Sequence, residues 1–296
     1  MHLSLALESP LLLVLDDAVD ADTCEKIIAL SSRRAPQVIP VTDEATGTST
    51  QKRKFPVVSS NMIGAASSEA VKAEQAALKS LSALVCTMLG PSTELETQPN
   101  VHCTDPSAAA GNTLGLHVDT NMKPDRFATA LLYLRDVPAG GGGETIFPLG
   151  GAPDQSHQSH PAAAAAQSLI DGGCTHTRRV HQPKLESAAA RLLAAAKALA
   201  GATSDSADGL MSMPRCGGSS GAVVRPQQGR LVVFFTRMDN GEVDGHSWHG
   251  GMDVTDAAGK WTLQYFKEVP RGADVAAYVS ERRRELCARF GLPVAS

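Results

Sequence analysis

Six short runs of strand-forming residues, separated by clusters of glycine, proline and asparagine, constrain this chain more than any other feature. They are Asn100-Val-His-Cys103, Gly115-Leu-His-Val-Asp119, Phe127-Ala-Thr-Ala-Leu-Leu-Tyr-Leu134, Glu144-Thr-Ile-Phe147, Arg230-Leu-Val-Val-Phe-Phe235 and Lys260-Trp-Thr-Leu-Gln-Tyr-Phe266. Strands of this length in series suggest a sandwich or a jelly-roll barrel. A 296-residue chain leaves room for one such barrel with attachments, and its 43% apolar content supports a real core.

The attachments are mainly helical. Leu11 to Leu15 reads as a strand, and Asp22-Thr-Cys-Glu25 as a capping box that opens a helix with the apolar stripe Cys24, Ile27, Ile28 and either Leu30 or Ser31. From Ser68 to Leu89, the spacing of Val71, Leu78, Leu81, Val85 and Met88 predicts a second helix, stopped by Gly90-Pro91. Two helices thus precede the chemistry. Val275 to Phe290 forms a last helix whose Arg282-Arg283-Arg284 run is expected to face solvent.

The strand series breaks between Leu149 and Val223, where Ala, Ser, Gly and His dominate and no barrel strand is expected. Within this insertion, Leu185, Ala189, Leu192, Leu193, Ala196 and Leu199 lay a stripe along an alanine-rich helix ended by Gly201. The rest reads as loop, either a lid over a site or, as expected here, a spacer. Its histidines, His157 and His160 among them, are expected to face solvent. The organisation is one domain: an N-terminal strand and support helices over 1–94, barrel core over 95–149 and 223–270, an insertion over 150–222 and a C-terminal helix over 271–296.

Charge and cysteine usage exclude some partners. Lys plus Arg (27) against Asp plus Glu (31) gives −4, so no chain-wide positive field draws nucleic acid or an acidic membrane, and only 4% of residues are aromatic for base stacking. The six cysteines are scattered without a pairing pattern, which reads as free thiols in a reducing compartment. The apolar N-terminus has no cationic start and meets Glu8 and Pro10 early, so it is not read as a secretory leader. No run is long enough to span a membrane, and a cytoplasmic or nuclear location is expected.

His117-Val-Asp119 puts an imidazole and a carboxylate on one face of a strand, where both can lean onto one metal ion. Far downstream, Gly245-His-Ser-Trp-His-Gly-Gly251 offers His246 and His249 ahead of two glycines, where backbone can pass close to a bound group. Two histidines and one carboxylate form the facial triad of non-haem Fe(II) oxygenases, which leaves coordination positions open. Zinc could take the same set, but a structural zinc site needs a fourth protein ligand and no cysteine lies nearby in sequence. Beyond His249, Lys260, Thr262 and Gln264 share one strand face. If that face points inward, Lys260 is a buried cation that requires an anion, such as an acidic cosubstrate; otherwise it sits exposed at a strand start. Gly140 to Gly143 are not followed by Gly-Lys-Ser/Thr, so they read as a tight strand connection rather than a phosphate loop. Thr145 is then a candidate polar group in the pocket, and Glu144 is expected to be structural.

The order His117-x-Asp119, Ala130-Leu-Leu-Tyr-Leu-x-Asp136, Gly142-Gly-Glu-Thr-x-Phe-Pro148, Gly229-x-x-x-x-Phe234, His249-Gly-Gly and Lys260-Trp261 resembles that of the Fe(II)- and 2-oxoglutarate-dependent dioxygenases of the prolyl 4-hydroxylase type. The resemblance covers 95–149 and 223–270 and, more weakly, Leu12 to Ile28. It implies a mainly β fold with flanking helices, a double-stranded β-helix (jelly-roll) barrel. It further implies iron on His117, Asp119 and His249, with His249 preferred to His246. Lys260 would pair with the distal carboxylate of 2-oxoglutarate and Thr145 would hydrogen-bond there. O2 would be the second cosubstrate, succinate and CO2 the by-products, and L-ascorbate the reductant that keeps the iron ferrous. The implied reaction hydroxylates a C–H bond, foremost in a peptidyl proline and alternatively in a free amino acid or other small molecule. A reading of another class is a non-catalytic metal-binding scaffold with the insertion as a partner-docking arm. Three departures stand out: Leu114 replaces the usual tyrosine before the first histidine, Lys260 lies one residue further from His249, and the insertion replaces a short connection.

Overall fold

The computed structural model of the chain describes residues 1–296 apart from 34, 43–48, 57–67, 98, 107–114, 121–122, 151–161, 178–179, 181, 203–209, 213–220 and 294–296. Leu114, His157, His160 and Cys216 therefore lie outside the described residues. A hairpin of β1 (His2–Glu8) and β2 (Leu11–Asp16) comes first, followed by α1 (Ala21–Ser32). The cap of α1 is Asp20, whose extended backbone lets its carboxylate accept from Thr23 N at 2.7 Å. The predicted box at Asp22 is thus displaced: Asp22 sits inside the first turn, where it pairs with Lys26 one turn on. The predicted stripe holds, with Cys24, Ile27, Ile28, Leu30 and Ser31 all buried.

Before the second helix the chain makes a hairpin, β3 (Gln37–Thr42) and β4 (Ser49–Pro56), so helices alone do not precede the chemistry. Its Gln-Lys-Arg-Lys stretch has no apolar alternation to announce a strand. Helix α2 (Glu69–Leu89) begins after its cap Ser68 and stops at Gly90, as its periodicity predicts. Then come β5 (Asn100–Thr104), β6 (Arg126–Tyr133) and β7 (Thr145–Phe147). Next are α3 (Ala163–Asp171), α4 (Pro183–Ala202), β8 (Leu210–Ser212), β9 (Ala222–Val224), β10 (Leu231–Phe235) and β11 (Gly250–Gly251). The last elements are β12 (Lys260–Glu268) and α5 (Val275–Phe290).

The strands form two antiparallel sheets, one ordered β1-β2-β10-β6-β12-β5-β4-β3 and the other β11-β7-β9-β8. Together they make the jelly roll expected from the strand series. Strand β6 explains the layering. Its residues are buried on both faces because Ala128, Ala130 and Leu132 join a core with α1, α2 and α5, while Leu131 and Tyr133 join another with Phe147 and Val224 of the smaller sheet. Strand alternation thus sends one set of side chains to the helices and the other toward the space between the sheets.

Four expectations for the flanks are corrected. The insertion is packed rather than a spacer: α3 and α4 bury Ala166, Leu169, Leu192 and Ala196 in a core that also holds Leu116, Val118, Ile146 and Trp248. It also supplies a strand, β8, and α4 runs one residue past Gly201. The arginine run is not a solvated face. Arg283 is buried with its guanidinium 3.0 Å from Asp239 and 5.4 Å from the Phe235 ring centre, leaving Arg284 as the exposed member. Cys24, Cys86, Cys103, Cys174 and Cys287 are free thiols. Among the described residues, no helix is long and apolar enough to cross a membrane.

Candidate metal centre

The segment carrying His117 and the segment carrying His249 exchange two backbone hydrogen bonds: His117 N donates to His249 O at 2.9 Å, and His249 N to His117 O at 3.0 Å. This reciprocal pair brings the two imidazoles side by side, ring centres 4.4 Å apart. Asp119, two residues from His117, points the same way. Its carboxylate oxygens lie 3.4 Å from His117 Nε2 and 3.6 Å from His249 Nε2. The three ligand-type atoms all lie within 4.8 Å of one another.

Local hydrogen bonds orient each group. His117 Nδ1 is 2.8 Å from Gly115 O and His249 Nδ1 is 2.9 Å from Ser247 O. A carbonyl only accepts, so each Nδ1 carries the hydrogen and each Nε2 presents its lone pair to the centre. Burial pushes the His249 pKa down to about 4, so this ring is neutral near pH 7. Burial works to raise the pKa of Asp119, but His249, His117 and a 2.6 Å hydrogen bond from Thr129 Oγ1 hold it well below the usual carboxylate range. Two imidazole nitrogens and one carboxylate oxygen, each oriented by a hydrogen bond to its own side chain, could hold a divalent metal.

The chain around His249 explains its aim. Asp244 caps the short 3₁₀ turn Gly245–Ser247, accepting from His246 N at 2.8 Å and, through its carbonyl, from Ser247 N at 3.0 Å. Trp248 is fully buried in the insertion core, so the next side chain turns back between the sheets, where Phe234 and Phe147 lie 4.7 and 5.4 Å from the His249 ring centre. His246 stands apart from the cluster, with Nδ1 3.3 Å from Asp244.

Lys260 opens β12 facing inward, 8% exposed, and donates to Thr145 Oγ1 at 3.2 Å, with its Nζ 5.3 Å from the Tyr133 ring centre. Thr145 also receives a 2.6 Å hydrogen bond from Tyr133. No carboxylate among the described residues comes within ion-pair distance of Lys260. Burial, reinforced by the charge of Lys52 and opposed by that of Glu144, pushes its pKa down to about 7. A buried ammonium in this position favours an incoming anion. The triad, Lys260, Thr145 and Gln264 line one cavity of about 370 Å³.

The four-glycine connection fixes Thr145 within this arrangement. Gly143 N donates to Asp253 O at 2.9 Å and Met252 N to Glu144 O at 2.8 Å, locking the turn to the chain beyond His249. Gly142 has φ +75°, and a Cβ on it would lie 2.1 Å from Asp253 O. A Gly142→Ala variant is therefore expected to lose about 2 kcal/mol or more of stability, from left-handed strain and the clash, read as a fall in the denaturant midpoint. An unchanged midpoint would mean that this turn adapts.

Two cavity residues carry no clear signal in the sequence. Val118 N donates to Thr175 O at 3.0 Å and Thr177 N to Leu116 O at 2.9 Å, so the insertion runs alongside the ligand segment. This places His176 in the cavity wall, its ring stacked 5.7 Å from that of His117. The solvent-facing expectation for the insertion histidines fails for His176, because it is held by that pairing. The other is Lys52, on β4. The polar stretch Ser49 to Lys54 gives no apolar register from which to tell that alternate residues face inward.

No family profile matches the sequence, and no curated protein matches it either. Among solved structures, a Pseudomonas putida prolyl-4-hydroxylase is 14% identical, with 87% of this chain and 92% of that chain covered and a TM-score of 0.37. A 2OG-Fe(II) oxygenase family oxidoreductase from Burkholderia pseudomallei is 12% identical, covering 87% and 84%, with a TM-score of 0.42. HygX from Streptomyces hygroscopicus, with nickel, 2-oxoglutarate and hygromycin B bound, is 13% identical, covering 90% and 86%, with a TM-score of 0.42.

Proposed function

We propose that this chain is an Fe(II)- and 2-oxoglutarate-dependent dioxygenase that hydroxylates a C–H bond. One observation carries the reading: two imidazoles with Nε2 atoms turned to the centre and one carboxylate share a cavity with a buried ammonium that has no carboxylate partner among the described residues. The donor set suits ferrous iron, and the ammonium suits the distal end of a dicarboxylate. When bound, iron and 2-oxoglutarate supply the oxidising power that side chains lack, with O2 reduced as substrate gains a hydroxyl and 2-oxoglutarate becomes succinate and CO2.

The chain's own part is positioning. His117, Asp119 and His249 would hold the metal through one face, and the Gly115, Ser247 and Thr129 hydrogen bonds keep those groups from turning away. Lys260 and Thr145 would fix the distal carboxylate, which sets the cosubstrate's approach to the metal. Phe147 and Phe234 pack around His249 and keep bulk water off that side. A peptidyl proline is the foremost substrate by sequence resemblance, with a free amino acid or other small molecule as the alternative, and L-ascorbate would serve to restore ferrous iron.

Anaerobic addition of Fe(II) and 2-oxoglutarate is expected to give the weak visible charge-transfer band of the chelate. Incubation with O2 and a set of proline peptides and amino acids should then add one oxygen to one of them, read by mass. A folded protein that gives neither band nor succinate would support the scaffold reading instead.

A further inference from the structure

We infer that Lys52 is a second anion-binding group of the cavity and holds a carboxylate of the molecule to be hydroxylated, an inference that rests on the dioxygenase reading above. Strand register is the first support. β4 pairs with β5 and β5 with β12, so Lys52, Thr104 and Lys260 form one row across three strands. Lys54, His102 and Thr262 form the next row on the same face. Lys52 and Lys260, two strands apart, start roughly 10 Å from each other at the backbone. Both line the cavity, with Thr104 between them.

The second support is that Lys52 lacks a counter-ion of its own. Among the described residues no side-chain hydrogen bond or ion pair engages it, whereas Lys260 has Thr145. Its charged neighbours are Asp119, which attracts it, and Lys54, which repels it; burial pushes its pKa down. Beside it, His102 keeps a buried Nδ1 without a hydrogen-bond partner. Burial, then Lys52 and Lys54, press the pKa of that ring down to about 2, so it is neutral and adds no positive charge.

Charge balance points to the occupant. A divalent metal on Asp119 takes the one anion that now offsets Lys52. The two carboxylates of 2-oxoglutarate are answered by the metal and by Lys260. Glu144 acts on Lys260 rather than on Lys52, and Asp253, the other carboxylate lining the wall, is engaged elsewhere and makes no ion pair with Lys52 among the described residues. Lys52 is then left among positive charges in a partly desolvated wall, and a carboxylate on the substrate restores balance. This favours an amino acid or other small acid over an uncharged stretch of peptide.

The test uses the full chain loaded with Zn(II) and saturating 2-oxoglutarate. Saturation-transfer NMR then ranks small carboxylic acids and N-acetylated amino acids, each beside its primary amide. Acids are expected to outbind their amides by about tenfold or more, the range of a charge-assisted hydrogen bond. Lys52→Met should erase that preference and leave 2-oxoglutarate affinity within about twofold, whereas Lys52→Arg should retain both. Amides binding as well as acids across the panel, or an acid preference that survives Lys52→Met, would overturn the assignment. A roughly tenfold loss of 2-oxoglutarate affinity in Lys52→Met would overturn it too, by placing Lys52 on the cosubstrate. Failure to take up Zn(II) and 2-oxoglutarate at all would sink the dioxygenase reading itself, a result distinguishable from the others.

Discussion

A His249→Ala variant is expected to lose metal binding by more than 100-fold, and with it all measurable succinate production. Losing an outer partner of a metal ligand typically costs about 10- to 100-fold in affinity, and a lost ligand must exceed that. Here two donors would remain, His117 and Asp119, which hold only an edge of the coordination sphere. The measurement is calorimetric titration with a divalent metal, accompanied by circular dichroism. His246→Ala is the companion, because His246 sits outside the cluster and its removal should leave metal affinity intact. If the His249 variant bound metal as the parent does, or if the His246 variant alone lost it, the ligand assignment would fail.

The Lys260→Met variant should bind metal normally and weaken 2-oxoglutarate by about 10- to 150-fold, the range for hydrogen bonds to a charged group. The pH dependence has a defined sign. The free ammonium has its pKa pushed down to about 7, and a bound carboxylate raises it again. Binding therefore takes up a proton at and above pH 7, and affinity falls as pH climbs through that region. Calorimetry in buffers of different ionisation enthalpy would reveal the uptake, and the variant should lack it. Folding stability of the free protein runs the other way. The unfolded chain holds the Lys260 proton between about pH 7 and 10.5 where the native state releases it, so this residue's contribution to stability rises with pH across that window. Pairing-independent affinity, with no proton uptake, would remove Lys260 from the cosubstrate's site.

Much of this centre was legible because the chemistry sits where periodicity is strong. His117 and Asp119 lie two apart in an extended segment, whereas the sequence left Lys260 either inward or exposed, and the pairing of β12 with β5 and β6 turns it inward. His249 was preferred to His246 through the family resemblance of its glycine pair and its spacing to Lys260. Trp248 is the physical reason for the difference, since its burial sets which neighbour turns inward. Where periodicity is absent the reading failed. Strand β4 is polar from Ser49 to Lys54 and alternates no apolar residues there, so neither the hairpin nor Lys52 could be placed. The composition of the insertion hid the fact that short alanine side chains let α3 and α4 pack closely over Leu116 and Trp248. His176 is positioned by backbone hydrogen bonds, which leave no trace in side-chain pattern.

The pairing of Thr175 and Thr177 with the ligand segment makes the insertion an indicator of what happens at the centre. An ion that clamps His117 must also quiet Leu116 and Val118, whose backbone groups are shared with the incoming chain. Amide protons at Val118 and Thr177 should then exchange with deuterium more slowly in the loaded protein, in step with its occupancy. A stretch that resembles filler by composition would thus register, some distance from the reaction, whether the protein is armed.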